Sequence, residues 1–225
     1  MNTNNDTTTG IGTTLYYAHD PMCSWCWGFA PTWEILKRAL IKDYAGTLRV
    51  QQLLGGLAPD SDEPMPEDMQ KYLQKTWATI QKRVPGTRFN FEFWERCAPR
   101  RSTWRACRAV IAARNQDLKF ESVMIKAIQE AYYLYARNPS NFSTLAAIAE
   151  EIGVDRSRFS DELDAPETYE AHQNEIQQVR QLGIHGFPSL VLVRDSTAYG
   201  VLVDYSGTAK TLGHISRLME TASAA

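Results

Sequence analysis

The two ends of the chain carry strand patterns, and a stretch of helical pattern over a hundred residues long lies between them. Thr13 to Ala18 and Leu48 to Leu54 are predicted strands on either side of a predicted helix, an order typical of a βαβ unit with a parallel pair. Near the C-terminus, predicted strands over Ser189 to Val193 and Tyr199 to Val203 precede a helix over about Ala209 to Thr221. The pattern therefore predicts one α/β sheet domain, built from both ends of the chain, with helices inserted into its middle.

Helical periodicity covers the middle of the chain. Residues 59–68, with three prolines and five acidic residues, separate this block from the first strands. Three amphipathic helices are predicted after that break, over Asp68 to Val84, Ser102 to Asn115 and Leu118 to Arg137. Two further helices are predicted to end at Gly153 and Gly183, where a left-handed residue commonly closes a helix.

Composition excludes several classes of protein. The 225 residues carry a formal net charge of −2, and 44% of them are apolar, which is too many for a disordered chain. A chain of this length buries about 70% of its unfolded surface and needs no disulfide scaffold, for which four cysteines would also be too few. The near-neutral charge gives no footprint for nucleic acid, and no apolar window is long enough to cross a bilayer. We expect neither nucleic acid nor a membrane as a partner.

The N-terminal segment bears on the compartment. The first ten residues, MNTNNDTTTG, are polar and lack the basic start and apolar stretch of a secretory signal. We therefore expect a cytoplasmic protein, in a compartment where thiols are kept reduced. Residues 1–12 are predicted to be disordered.

A C-x-x-C motif lies where the first predicted strand turns into the first helix. The unpaired N–H groups and the dipole of a helix N-terminus favour a thiolate on Cys23, and Cys26 lies one turn further in, where its thiol is shielded. This arrangement predicts an exposed nucleophile and a partner that releases a mixed disulfide, with Ser24 and Trp25 between them tuning the potential. A zinc site and two buried structural thiols are the alternatives. Zinc is disfavoured because no second ligand pair of suitable spacing is present.

The segments DPMCSWCWGF and GFPS resemble the DsbA-like branch of the thioredoxin superfamily, including the FrnE-type oxidoreductases. The resemblance covers nearly all of the chain beyond residue 12. It implies a thioredoxin-like fold with a large inserted all-helical domain. We accordingly predict a thioredoxin-like domain over residues 1–64 and 176–225 and a helical insertion over residues 65–175.

The resemblance also implies roles for individual residues. Cys23 is then the nucleophile and Cys26 the resolving cysteine, while Pro31 stands at the position of a proline that kinks the first helix. Pro188 corresponds to a cis proline that faces the cysteine pair. In that position the backbone of Phe187 would be exposed for pairing with an extended substrate peptide.

Three polar residues near these motifs are weaker candidates. His185, three residues before Pro188, would stabilise a Cys23 thiolate if it approached the cysteines, although an exposed loop histidine is the interpretation we favour. His19 and Asp20 would be placed to handle protons for Cys26. An aspartate before a proline is also an ordinary turn opener, which we favour for Asp20.

The remaining cysteines and a local run of arginines have structural interpretations. Cys97 and Cys107 would be a second redox pair only if the fold joined them, and we expect buried, inert thiols instead. The basic run would attract an acidic peptide, glutathione or nucleic acid, but we expect a solvated, ion-paired helix face. Its members are Arg96, Arg100, Arg101, Arg105, Arg108 and Arg114.

The leading functional hypothesis is a thiol-disulfide oxidoreductase or isomerase that acts on disulfide-containing proteins or peptides. It needs a thiol reductant, with glutathione as a candidate, and no metal or organic cofactor. The alternative is a glutathione-dependent transferase or isomerase, since the kappa-class transferases and chromene-carboxylate isomerases are similar to this branch. A non-catalytic chaperone is a third hypothesis. Because a histidine between the cysteines is missing, we expect a less oxidising pair than that of DsbA.

Overall fold

The computed structural model describes residues 12–220. The elements of its first part are β1 Thr13–His19, α1 Ser24–Asp43 and β2 Arg49–Leu54. The helical stretch comprises α2 Glu67–Arg83, α3 Phe93–Arg96, α4 Trp104–Gln116, α5 Phe120–Tyr133, α6 Phe142–Glu151, α7 Arg156–Leu163 and α8 Pro166–Gln181. The chain then forms β3 Ser189–Arg194, β4 Thr197–Val201 and α9 Ala209–Glu220.

The four predicted strands form one sheet in the order β2-β1-β3-β4. β3 and β4 are antiparallel, with Leu190 opposite Val201 and Arg194 opposite Thr197. β4 begins two residues before the prediction because Asp195 and Ser196, with φ of 49° and 62°, form a two-residue turn whose positive dihedrals suit a tight hairpin. The sequence pattern missed this turn since neither residue is a glycine.

The helical stretch follows the prediction in outline and departs from it in length. The third predicted helix, α5, ends at Tyr133 rather than Arg137, and Ala136 just beyond it has a φ of 50°, outside the helical region. Gly153 and Gly183 follow the ends of α6 and α8 with φ of 82° and 70°, as expected for helix-closing glycines. Pro31 lies inside α1, which continues to Asp43.

Contacts divide the described residues into two compact units. The first contains residues 12–17, 31–52 and 189–220, and in it the rings of Tyr17 and Trp33 stack with centroids 4.1 Å apart. The second contains residues 18–30 and 53–188 and therefore holds both cysteines of the motif. The domain boundaries drawn from the sequence stay a prediction, and the disorder predicted for residues 1–12 lies, except for Gly12, outside the described residues.

Helix α4 forms the centre of the second unit. All eight residues from Ala106 to Ala113 are buried, including Arg108, whose side chain is only 3% exposed. The guanidinium of Arg108 donates to Asp60 Oδ2 and to Asp164 Oδ1, each at 2.8 Å. The expectation of a solvated arginine face is therefore wrong for Arg108, because two carboxylates satisfy its charge inside the helical packing.

The buried position of Arg108 predicts a large effect of its removal. We expect Arg108→Ala to lower the free energy of unfolding by about 3 kcal/mol, since it removes a buried charge that two carboxylates pair. Arg105→Ala is the matched control, because Arg105 pairs with the same Asp164 from a 31% exposed position, and it should cost less than about 1 kcal/mol. Urea unfolding of both variants measures the difference, and equal losses would contradict this account.

Candidate active site

Cys23 and Cys26 lie at the N-terminus of α1. The Cys23 N–H donates to the Asp20 carbonyl at 3.0 Å, and the Cys23 carbonyl accepts from the Trp27 N–H at 3.0 Å, so Cys23 occupies the capping position of the helix. Both thiols are free. Cys23 is 5% exposed and Cys26 is fully buried. The expectation of an exposed nucleophile is therefore wrong, because Cys23 is much less exposed than predicted. The reason is that neighbouring segments enclose Cys23 within a cavity.

The environment of Cys26 favours the neutral, protonated thiol. Burial raises the pKa of Cys26 well above its usual value, and the hydrogen bond and charge of Cys23 raise it further. A thiol in this state is a poor nucleophile until a change next to it favours its thiolate. This agrees with a shielded thiol that reacts second.

Phe187 and Pro188 face the cysteines immediately before β3. The Phe187–Pro188 peptide bond is cis. The Cys23 thiol donates to the Phe187 carbonyl oxygen, with the sulfur 3.5 Å from that oxygen. This contact brings residues 164 positions apart in sequence into one site.

Gly55 allows the ring of Phe187 to take its place. A Cβ atom on Gly55 would lie 1.9 Å from the Phe187 ring, which is far inside van der Waals contact. Gly55 is held in turn, because its N–H donates to the His19 carbonyl at 2.7 Å. No local pattern in the sequence indicates this close approach.

A cavity of about 190 Å³ opens onto Cys23. Apolar and aromatic side chains make up most of its wall, and two arginines also line it, whereas no aspartate or glutamate does. Trp25 and Phe187 are among the lining residues. The full lining consists of Met22, Cys23, Ser24, Trp25, Leu57, Met65, Tyr72, Leu73, Thr76, Arg100, Arg101, Thr103, Tyr132 and Phe187.

Ser24 is tied to an aromatic cluster of the helical stretch. Its hydroxyl accepts a hydrogen bond of 2.9 Å from the indole N–H of fully buried Trp77. Burial raises the pKa of Tyr133 well above its usual value, and the neighbouring Tyr132 and Cys23 raise it further. The tyrosine hydroxyl therefore stays protonated beside the motif. The sequence analysis did not connect Ser24 to these aromatic residues.

Asp20 is a buried carboxylate that the sequence analysis undervalued. Its Oδ1 accepts from the Met22 N–H at 2.7 Å, which is the turn that was predicted. Its Oδ2 also accepts from the Leu57 N–H at 2.7 Å, the Thr103 hydroxyl at 2.6 Å and the Cys107 thiol at 3.6 Å. Burial raises the pKa of Asp20, and these hydrogen bonds oppose the shift.

The other candidate residues lie apart from the cavity. His185 is exposed and does not line it, in agreement with the interpretation of a loop histidine. His19 is buried at the end of β1. The Cys97 thiol donates to the Ala136 carbonyl at 3.1 Å. Burial raises the pKa of Cys107 well above its usual value, and the charge of Asp20 raises it further, so this thiol is inert by itself but touches the Asp20 network.

The described residues were also considered as metal ligands and as membrane-spanning helices. Within residues 12–220, no three His, Cys, Asp or Glu side chains are grouped closely enough to hold a metal ion. No helix in the same range combines the length and hydrophobicity needed to span a bilayer.

Comparison with known proteins places this geometry in a family. The model of the family described as Thioredoxin matches residues 16–211. A candidate protein disulfide isomerase from Nitrosomonas europaea is 26% identical, with a TM-score of 0.78 and coverage of 93% of this chain and 98% of that one. The cytosolic disulfide reductase DsbM from Pseudomonas aeruginosa is 24% identical, with a TM-score of 0.69 and coverage of 92% and 97%.

Curated relatives match over a shorter share of their own length. The ClpXP adapter protein SpxH of Shouchella clausii is 24% identical over 81% of this chain, and that of Bacillus subtilis is 25% identical over 78%. This chain spans 58% and 56% of those two proteins.

The chain belongs to the thioredoxin family, whose model covers most of its length. Its fold is that of the DsbA-like structures of this superfamily, as the full-length structural matches show. The predicted thioredoxin-like α/β fold and the resemblance to this branch are therefore confirmed.

The contact of Gly55 with Phe187 predicts a strong steric effect. We expect Gly55→Ala to lower the free energy of unfolding by about 2–3 kcal/mol, because the new methyl group displaces the Phe187 ring. It should also change the rate at which iodoacetamide alkylates Cys23, since the Phe187 carbonyl moves with its ring. Urea unfolding and timed alkylation measure the two effects.

Two variants test the cause of that loss. In a Phe187→Ala background, Gly55→Ala should cost less than about 1 kcal/mol, because the clashing ring is gone. Gly186→Ala should be nearly neutral, since a Cβ there meets nothing within 4 Å. A full penalty in the Phe187→Ala background would show that the ring is not the obstacle.

The buried thiols predict a fall in stability at alkaline pH. Cys26 and Cys107 keep their protons in the folded protein, whereas in the unfolded chain they lose them above a pKa of about 8.5. The free energy of unfolding should therefore fall above that pH, by about 1.4 kcal/mol per pH unit for each thiol. Urea unfolding under reducing conditions measures the slope.

Cysteine variants assign the slope to its source. Cys107→Ala should remove the share of one thiol, while Cys97→Ala should change the slope less, because Cys97 is only half-buried. An unchanged slope in Cys107→Ala would contradict a neutral Cys107 in the folded protein.

Proposed function

We propose that this protein is a thiol-disulfide oxidoreductase in which Cys23 attacks the substrate and Cys26 resolves the mixed disulfide. The observation that carries the proposal is the unequal placement of the two thiols. The Cys23 sulfur lines the cavity and lies 3.5 Å from the Phe187 carbonyl, whereas Cys26 is fully buried behind it. An incoming disulfide can reach the first sulfur and not the second.

The proposed reaction has two exchange steps. The Cys23 thiolate attacks one sulfur of a substrate disulfide, forms a mixed disulfide with it and releases the other sulfur as a thiolate. The Cys26 thiolate then attacks the Cys23 sulfur and releases the rest of the substrate as a second thiol. The substrate is thereby reduced by two electrons, and Cys23 and Cys26 are oxidised to a disulfide. Isomerisation would occur when a substrate thiol, instead of Cys26, attacks the mixed disulfide.

A small thiol is the proposed reductant of the resulting disulfide. Two glutathione molecules would restore the dithiol and leave as one glutathione disulfide. The relative DsbM supports this direction of electron flow, since it is a cytosolic disulfide reductase and was also solved with GSH. We propose a cytoplasmic location on the same ground. Disulfide-containing proteins or peptides are the proposed substrates.

The alternative of a glutathione-dependent isomerase has weaker support. The 2-hydroxychromene-2-carboxylate isomerase shares the fold with a TM-score of 0.59, but it is only 13% identical. The presence of both Cys23 and Cys26 favours dithiol chemistry, which such isomerases do not need. Glutathione-dependent isomerisation that survives Cys26→Ala would favour the alternative.

The proposed roles predict opposite behaviour of the two cysteine variants. Cys23→Ala should reduce turnover of a model disulfide to the uncatalysed background, because no other thiol lines the cavity. Cys26→Ala should accumulate a mixed disulfide on Cys23, since the resolving thiol is gone. Turnover assays and intact-protein mass spectrometry measure these effects.

A third cysteine variant provides the control. Cys97→Ala should keep the activity of the wild type, because its thiol bonds to the Ala136 carbonyl away from the cavity. Equal turnover by the wild type and Cys23→Ala would refute the proposed function.

A further inference from the structure

Arg100 and Arg101 line the cavity at Cys23 and differ in their hydrogen bonds and ion pairs. Arg100 is occupied within the fold, since its Nη2 donates to the Ser140 carbonyl at 2.6 Å and to Asn141 Oδ1 at 2.8 Å. Its Nη1 also lies 3.9 Å from the Asp62 carboxylate. Arg101 makes no hydrogen bond or ion pair of this kind with any residue in the described part of the chain. The Arg100 guanidinium is therefore bound within the fold, whereas the Arg101 guanidinium is free.

The segment that carries Arg101 is fixed on both sides. The Pro99 carbonyl accepts from the Met65 N–H at 2.9 Å, and Arg100 forms an isolated β-bridge with Pro64. After it, the Ser102 carbonyl accepts from the Ser140 hydroxyl at 2.8 Å. The backbone of Arg101 is thus held at the cavity wall while its guanidinium remains available, as a preorganised binding group requires.

The surroundings of Arg101 favour a negatively charged ligand. The residue is half-buried, and the cavity around it contains no acidic side chain that could balance its charge. Tyr132 lines the same cavity, and the charge of Arg101 opposes the rise that burial causes in the pKa of Tyr132. A cation against an aromatic and aliphatic wall is partly desolvated, so an anion gains more from it here than at an open surface.

We propose that Arg101 selects disulfide substrates that carry a carboxylate close to the reacting sulfur. This inference rests on the proposed function, because it assigns the substrate class of the same cavity. The carboxylate would accept hydrogen bonds from the Arg101 guanidinium while the substrate sulfur meets Cys23. The planar guanidinium suits the two oxygens of a carboxylate better than a single-point anion.

Three small disulfides of similar size test the charge preference. Dithiodiglycolate is a dianion, bis(2-hydroxyethyl) disulfide is neutral and cystamine is a dication. The reduced Cys26→Ala protein, in which no resolving thiol removes the product, is freed of reductant and mixed with each one. The rate constant of mixed-disulfide formation at Cys23 is measured by acid quenching and mass spectrometry, and the Arg101 and Arg105 variants are made in this background. Omitting glutathione from the assay matters because glutathione itself carries carboxylates.

Arg101→Gln should lower the rate constant for dithiodiglycolate about tenfold, the factor expected from losing one charge-assisted hydrogen bond. It should leave the neutral disulfide within about twofold and should raise the rate constant for cystamine, since a repelling cation is gone. Arg101→Lys should restore part of the preference for the dianion. Raising the ionic strength from about 0.05 to about 0.5 M should weaken that preference in the wild type.

Arg105→Gln is the matched control, because it removes the same charge from a residue that pairs with Asp164 and does not line the cavity. It should keep the wild-type order of the three substrates. If the wild type reduces the neutral disulfide but Arg101→Gln leaves the charge order unchanged, this inference is refuted and the proposed function stands. If Cys26→Ala forms no mixed disulfide and the wild type reduces none of the three, the proposed function fails first.

Discussion

The site is assembled around the hydrogen bonds that the buried carboxylate of Asp20 accepts. It accepts hydrogen bonds from the backbone before α1, from the backbone after β2 and from the Thr103 hydroxyl at the start of α4. Thr103 is fixed in turn, since its N–H donates to the Ala58 carbonyl at 3.0 Å. One carboxylate therefore joins three segments that are distant in sequence. Without it, the Met22 and Leu57 N–H groups would lose their partner, and the loss costs about 1–3 kcal/mol for a group that is buried, as that of Met22 is.

The position of Cys23 depends on this junction through the backbone. Because the Cys23 N–H donates to the Asp20 carbonyl, the helix start and the carboxylate move as one unit. Thr103 and Leu57 also line the cavity, so the residues that hold Asp20 form part of the wall that a substrate would meet. The buried Asp20 carboxylate thus helps to fix both the position of Cys23 and the residues that surround it.

The parts of the fold that were predicted correctly are those set by local sequence. Runs of β-branched, aromatic and apolar residues marked the strands, glycines marked the ends of α6 and α8, and the C-x-x-C motif was placed correctly between a strand and a helix. Ala136 and Ser196 lay outside the reach of such patterns, because tertiary packing imposes their positive φ on residues that do not favour it.

The site itself depended on contacts that no local pattern contains. Asp20 meets Thr103 and Cys107 across more than eighty residues of sequence, and Cys107 appeared only as one member of an apolar stripe. Arg100 and Arg101 are neighbouring residues of the same type. The Arg100 guanidinium is hydrogen-bonded within the fold, whereas the Arg101 guanidinium is free. Residue identity cannot separate them, since the difference lies in which partners the folded chain brings within reach.

The unequal burial of the two cysteines bears on the order in which they would react. A dithiol works in sequence only if the second thiol stays protonated while the first reacts, and desolvation keeps Cys26 in that state. Once Cys23 is held in a mixed disulfide, its charge and its hydrogen bond no longer raise the pKa of Cys26. In the proposed reaction, forming the first bond thus removes two of the causes that keep Cys26 protonated, while its burial, the largest cause, remains.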